Sequence, residues 1–109
     1  MPFEIFTTDS GKYAFRLKAA NGQIVLASQS YENKAGASAG IASVIENSAK
    51  GEDAFEKSTA KDGSPYFNMK AGNGQIIGKS QMYNSESARD NGIESVIKNA
   101  AENVINDLT

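Results

Sequence analysis

Apolar positions along this chain change period in the same order twice. Between Phe3 and Ala27 they recur at every second residue, the spacing of half-buried β-strands, and after Tyr31 they recur at helical spacing. The helical stripe is Ala37, Gly40, Ile41, Val44, Ile45 and Ser48. Residues 55–102 repeat residues 3–50 at a constant offset of 52 with no gap, and 21 of the 48 pairs are identical. The second stripe is therefore Arg89, Gly92, Ile93, Val96, Ile97 and Ala100. Each repeat reads as strand, strand, strand, helix, and one supersecondary unit is used twice.

Within each repeat the strongest local signal is an Asn-Gly pair, Asn21-Gly22 and Asn73-Gly74. These residues suit a two-residue type I′ hairpin turn, which needs positive φ at both positions. That turn predicts Ala19 opposite Ile24, Leu17 opposite Leu26 and Phe15 opposite Ser28 on one side of the ribbon. Lys18 with Val25 and Arg16 with Ala27 fall on the other side. The second copy predicts Ala71 with Ile76, Met69 with Gly78 and Phe67 with Ser80, against Lys70 with Ile77 and Asn68 with Lys79. A further strand is expected at Phe3–Thr7 and Phe55–Thr59, with Phe3 and Phe55 pointing inward. Pro65 is tolerable as the first residue of its strand because its missing N–H costs nothing there.

Asn33 and Ser85 are suited to cap the helices, and Gly51 to stop the first near Lys50. The second helix lacks that glycine and continues its stripe through Val104, Ile105 and Leu108, which predicts an end near Asn106. Gly40 and Gly92 each cost about 1 kcal/mol relative to alanine inside a helix. Their matched placement predicts close approach of helix to sheet. A unit of some 50 residues is marginal alone, so the expected fold is α+β: tandem β-β-β-α repeats (3–50 and 55–102) forming one domain over residues 1–109. One shared six-stranded antiparallel sheet should carry both helices on one face and leave the other face bare. The expected state is a monomer with an internal pseudo-two-fold.

Composition narrows the chemistry. The chain has no cysteine and no histidine, which removes thiol nucleophiles, imidazole bases, disulfides and the common zinc sets. A net charge of −2 speaks against a protein that neutralises many phosphates, so nucleic acid is an unfavoured partner. The first residues carry no basic n-region and no stretch has the length of a membrane span, so a cytoplasmic protein without membrane contact is expected.

The pattern Gly11-x-Tyr13-x-Phe15-Arg16-Leu17-Lys18-Ala19-x-Asn21-Gly22-Gln23-Ile24, Ser28-x-x-Tyr31 and Gly40-Ile41-x-Ser43-Val44 resembles the YegP-like family of small bacterial proteins. The counterpart from Tyr66 to Tyr83 extends the resemblance over nearly the whole chain. It implies tandem units sharing one sheet, with single-repeat relatives that dimerise into the same arrangement. It implies no activity, since the family is a domain of unknown function. Pro65 and Asn68 depart from the pattern at the positions of Tyr13 and Arg16.

Candidate sites are few. Arg16, Lys18, Val25, Asn68, Lys70, Ile77 and Lys79 are assigned to the bare sheet face, where a basic surface with nearby Phe6 or Tyr66 could take a polyanion. The competing reading has these lysines keeping a half-covered sheet soluble. Ser28 and Ser80 lie across the ribbon from the lysines, so a Ser/Lys dyad is not expected and a structural hydrogen bond is. Tyr31 and Tyr83 are expected to staple the start of each helix with their hydroxyls in water. No catalytic residue, metal ligand or cofactor is assigned. The functional expectation is a non-enzymatic structural or ligand-binding module that meets a partner of unknown kind, a protein being one candidate, through the bare face or an exposed strand edge, the alternative being a weak nucleic-acid or polyanion binder through Arg16, Lys18, Lys70 and Lys79.

Overall fold

The computed structural model describes residues 3–19, 21–102 and 104–109. The first repeat forms β1 (Phe3–Thr7), β2 (Tyr13–Lys18), β3 (Ile24–Ala27) and helix α1 (Lys34–Ser48). A 3₁₀ turn at Gly51–Ala54 leads into the second, with β4 (Phe55–Thr59), β5 (Pro65–Lys70), β6 (Ile76–Lys79) and α2 (Glu86–Ala101). A last strand, β7 (Ile105–Asp107), completes one seven-stranded sheet in the order β4-β5-β6-β3-β2-β1-β7. Both helices contribute to a single hydrophobic cluster, with Ile41, Val44, Ile93 and Val96 packed on Phe3, Leu17, Phe67 and Met69. The α+β architecture is the expected one.

The halves meet where β3 and β6 pair, through Ala27 and Lys79 alone. So narrow a seam contributes little by itself, and the helices reinforce it. Helix α1 lies on β2 of its own repeat and β6 of the other, while α2 lies on β5 and crosses to β2 and β3. Leu26 sits over the seam at the place matched by Gly78. A Cβ on Gly78 would stand 2.8 Å from Leu26 Cγ, so one of the two positions has to be glycine.

Local signals behave as expected at the helix starts. Asn33 Oδ1 accepts from Gly36 N–H at 2.8 Å and Ser85 Oγ from Ala88 N–H at 3.0 Å. Gly51, at φ 82°, takes the left-handed conformation that ends the first helical segment. Helical glycines bring each helix down onto an aromatic pair. A Cβ on Gly40 would lie 2.6 Å from both Phe15 and the Tyr31 hydroxyl, and one on Gly92 would lie 2.2 Å from the Tyr83 hydroxyl.

Three expectations are corrected. First, each hairpin closes with a longer loop than a two-residue turn. Gly22 N–H donates to Ala19 C=O and Ala19 N–H to Gln23 C=O, both at 2.9 Å, and Gly74 and Ala71 repeat the arrangement. Leu17 still opposes Leu26 and Arg16 opposes Ala27, but Lys18 pairs with Ile24, leaving Val25 as the extra residue of a bulge. In the second copy Lys70 pairs with Ile76 instead of Ile77. The bulge exchanges the two isoleucine positions with their neighbours: Val25 and Ile77 enter the core at 5% and 9% exposure, while Ile24 and Ile76 stand 39% and 50% exposed. Val25 and Ile77 therefore do not belong to the open face.

Second, α2 stops at Ala101, and Val104, Ile105 and Leu108 lie on an exposed extended segment. The edge of β1 offers unpaired backbone groups that this β-branched segment satisfies better than another helical turn would. Phe3 N–H donates to Val104 C=O at 3.0 Å and Leu108 N–H to Ile5 C=O at 2.9 Å. Third, β7 runs parallel to β1, so the sheet is mixed and has seven strands instead of six antiparallel ones. Lys34, on the first turn of α1, pairs with Asp107 and clamps the segment in place. Lys34 and the Thr109 contacts hold the Asp107 carboxyl down to about 2.

The two sheet edges are consequently unlike. β7 covers β1, whose Ile5 is buried, whereas β4 forms the other edge and carries Lys57 at the position of Ile5. Lys57 reaches Asp90 at 3.2 Å and Glu52 at 3.8 Å. A charge at an inward position on an edge strand discourages pairing with another sheet. Lys57→Ile, which restores the residue of the first repeat, should make the chain self-associate more strongly than the parent, read by sedimentation velocity at matched concentrations. Unchanged sedimentation would contradict this role for the lysine.

Candidate functional site

The face opposite the helices is a shallow polar and apolar surface spread over both repeats. Alternation along β1, β2, β4 and β5 places Glu4, Phe6, Arg16 and Lys18 on it from the first repeat, and Glu56, Ser58, Tyr66, Asn68 and Lys70 from the second. Beyond the bulges, Ile24 and Ile76 join them at the hairpin ends. Ala27 and Lys79 meet at the middle.

The cations assigned to this face are brought together there, but most are neutralised in place. Arg16 Nε donates to Glu4 Oε1 at 2.7 Å, its guanidinium lies 4.4 Å from the Phe6 ring centre, and Lys18 Nζ is 3.4 Å from the same carboxylate oxygen. The Arg16 hydrogen bond, and after it Lys18, hold the Glu4 carboxyl below its ordinary range against the opposing effect of burial. Lys70 donates to Glu56 Oε2 at 2.8 Å, and Lys70 followed by Asn68 likewise lowers the Glu56 carboxyl. Lys79 differs, stacking 4.9 Å from the Tyr66 ring centre with no carboxylate partner among the described residues. A groove of about 560 Å³ opens beside it at the seam, lined by Ala27, Ser28, Tyr66, Asn68, Ile76 and Lys79 among others. Three of its lining residues differ between the repeats: Tyr66, Asn68 and Lys79 stand where the first repeat has Ala14, Arg16 and Ala27.

The serines serve the sheet. Ser28 Oγ accepts from Phe15 N–H at 2.9 Å and donates to Gln29 C=O at 2.7 Å, and Ser80 does the same with Phe67 and Gln81 at 2.9 and 2.8 Å. Each hydroxyl proton is thus held by a carbonyl. The tyrosines pack as helix staples, Tyr31 stacked on Phe15 at 6.2 Å and Tyr83 on Phe67 at 6.3 Å between ring centres. The expectation of hydroxyls in water fails for Tyr83. Its oxygen is buried against Gly92 without a hydrogen-bond partner, and burial pushes the phenol above its ordinary value, opposed by the nearby Gln81 side chain. Burial raises Tyr31 as well.

Two buried residues escaped the sequence reading. Asn47 and Asn99 project inward from matched helix positions and donate to the carbonyls of Ser43 and Ser95 at 2.7 Å. The identical Ser-x-x-x-Asn spacing in both copies was the signal for this pair. No helix among the described residues is long and apolar enough to cross a membrane.

Comparison with known proteins places the whole arrangement among uncharacterised relatives. The family described as Domain of unknown function (DUF1508) matches twice, at residues 9–52 and 60–107. A UPF0339 protein of Acinetobacter baylyi is 51% identical over 108 residues, covering 98% of this chain and 96% of the relative. The UPF0339 protein YegP of Escherichia coli K12 is 45% identical over 107 residues, with 98% and 96% covered. The solution NMR structure of a UPF0339 protein from Shewanella oneidensis superposes with a TM-score of 0.92 at 48% identity, covering 99% of this chain and 91% of that one. The solution structure of yegP from E. coli, a protein of unknown function, gives 0.92 at 44% identity, with 99% and 92% covered.

The Glu4 cluster yields a test. Because the folded-state pKa of Glu4 is lowered, its contribution is complete above the ordinary carboxylate pKa and is lost as pH falls through the folded value. Glu4→Gln should cost roughly 0.5–1 kcal/mol at neutral pH, discounted for partial screening, and the gap from the parent should narrow below about pH 4 in urea titrations. A gap independent of pH would contradict the assignment.

Proposed function

We propose a binding role for this chain, which belongs to the DUF1508 family of UPF0339 proteins, with the open sheet face as the surface that meets a protein partner. One observation carries the reading: the uncovered face neutralises its own cations while exposing apolar side chains. Arg16 and Lys18 share Glu4, Lys70 is tied to Glu56, and Ile24 and Ile76 stand out at the two hairpin ends. A surface built to grip polyanions would leave its cations free for phosphates. Mixed apolar and self-paired polar groups instead suit a protein surface. Lys79, lacking an acid, favours a partner that brings a carboxylate to the seam groove beside Tyr66.

The reading is non-enzymatic. Ser28 and Ser80 spend their hydroxyls on backbone groups, and the lysines project from the opposite side of the ribbon. The polyanion alternative rests on Lys79 with whatever Arg16, Lys18 and Lys70 could release from their acids, and a steep loss of affinity with salt would be its signature.

A photoreactive side chain placed at Ile76 tests the proposal in the native cells. It should give a discrete protein adduct that Ile24→Glu and Lys79→Glu abolish, while the same group at Glu46, on the outer side of α1, gives none. Equal adducts from both positions, or none from Ile76, would overturn the face assignment. Adducts with nucleic acid would favour the alternative.

A further inference from the structure

A second concavity lies on the helical side of the molecule, between the β2–β3 hairpin and α2. Two adjoining cavities of about 350 and 530 Å³ share Ala19, Asn21, Asn91 and Ser95, and together form one groove along the helix. Both are open to solvent, and their volumes fall in the range of small-molecule sites, roughly 300–1,000 Å³. Its inner part is floored by Ala19, Val25, Ala88 and Gly92, small or apolar groups that leave room for a ring. Tyr83 also lines this part, its hydroxyl buried and without a hydrogen-bond partner among the described residues.

The inner walls carry carboxamides and a hydroxyl, and the outer end carries Glu94, Lys98 and Glu102. Asn21 uses its oxygen to accept from Gln23 N–H at 3.0 Å, and its amide nitrogen remains available to donate. Ser95 Oγ accepts from Asn99 at 3.1 Å and keeps its own proton to donate. The side chains of Gln23 and Asn91 make no hydrogen bond within the protein among the described residues. A carboxamide presents a donor and an acceptor side by side, the arrangement that matches adjacent hydroxyls on a sugar. Lys98, the only cation among the described lining residues, is accompanied by Glu94 and Glu102 at the same end, so the lining does not favour an anion.

Comparison with the first repeat shows which residues are specific to this groove. Asn21, Gln23, Ser95 and Asn99 have identical counterparts at Asn73, Gln75, Ser43 and Asn47, as turn and helix structure requires. Asn91 stands instead where the first repeat has Ala39, and Lys98 where it has Glu46. The solvent-exposed carboxamide of Asn91 is thus present on one side only, and it is free to exchange water for a ligand hydroxyl. We propose that this groove binds a neutral saccharide, with Asn91 and Gln23 pairing to adjacent hydroxyls and the Ala19–Val25–Gly92 floor taking the C–H face of the ring.

The test is a titration of the ¹⁵N-labelled full chain with glucose, N-acetylglucosamine, maltose and trehalose, each to about 50 mM, for dissociation constants on the order of 1 mM. At least one sugar should produce saturable shifts at the amides of Asn21, Gln23, Asn91 and Ser95. Asn91→Ala should weaken that binding about tenfold, and Gln23→Ala comparably, while the unfolding midpoint of Asn91→Ala stays at the parental value. Absence of saturable shifts with all four sugars would overturn the proposal. So would shifts confined to the open sheet face, or affinity unchanged in Asn91→Ala.

Discussion

The fold depends on burial shared across the seam between the repeats. One residue pair, Ala27 with Lys79, joins the two three-stranded units along their edges, and a single bridge cannot fix their relation. What fixes it is the apolar layer above. Leu26 of the first unit fills the space left by Gly78 of the second, and each helix starts over its own strands and crosses onto the strands of the other. Because Gly40 and Gly92 let the helices descend onto Phe15 with Tyr31 and Phe67 with Tyr83, that layer is close-packed. The open sheet face and the groove beside α2 both follow from it, one as the side the helices leave uncovered and the other as the gap between a hairpin and the helix crossing over it.

Much of this was legible in the sequence because every local signal appears twice. The period change after Tyr31 and Tyr83, the caps at Asn33 and Ser85, and the inward Phe3 and Phe55 were read from one copy and checked on the other. Duplication could not correct an error common to both. Asn21-Gly22 and Asn73-Gly74 look alike as two-residue turns, yet in both copies the closing hydrogen bonds run from Ala19 to Gln23 and from Ala71 to Gln75. One further loop residue creates the bulge that exchanges Val25 with Ile24 and Ile77 with Ile76. A local pattern of alternating residues does not reveal it, since the choice is made by how the turn and the core pack together. The end of α2 was hidden for a different reason. Val104, Ile105 and Leu108 fit a helical stripe, and only the free edge of β1, distant in sequence, makes extension the better solution.

Divergence between the copies marks where the surface departs from structural need. Ile5 and Lys57 separate a covered edge from an edge defended by charge. Ala14, Arg16 and Ala27 become Tyr66, Asn68 and Lys79, which line the seam groove and add a cation with no carboxylate partner among the described residues. Ala39 becomes Asn91 in the groove between the β2–β3 hairpin and α2. Identical pairs such as Ser28 with Ser80 and Asn47 with Asn99 are spent on backbone hydrogen bonds. The unmatched residues Asn91 and Lys79 set one copy of a matched surface apart from the other, and the sequence alone could not single them out before their neighbours in space were known.

The central claim is that neither repeat holds its fold without the other's helix. Urea unfolding followed by NMR at individual amides tests it, comparing Leu17 in β2 with Met69 in β5 in the parent chain and in Gly40→Val. Shared burial predicts one midpoint for both residues, and an equal downward shift of both when the valine disturbs only the first repeat, at Phe15 and Tyr31. Two separate midpoints, or a shift limited to Leu17, would show two independent cores and contradict the account.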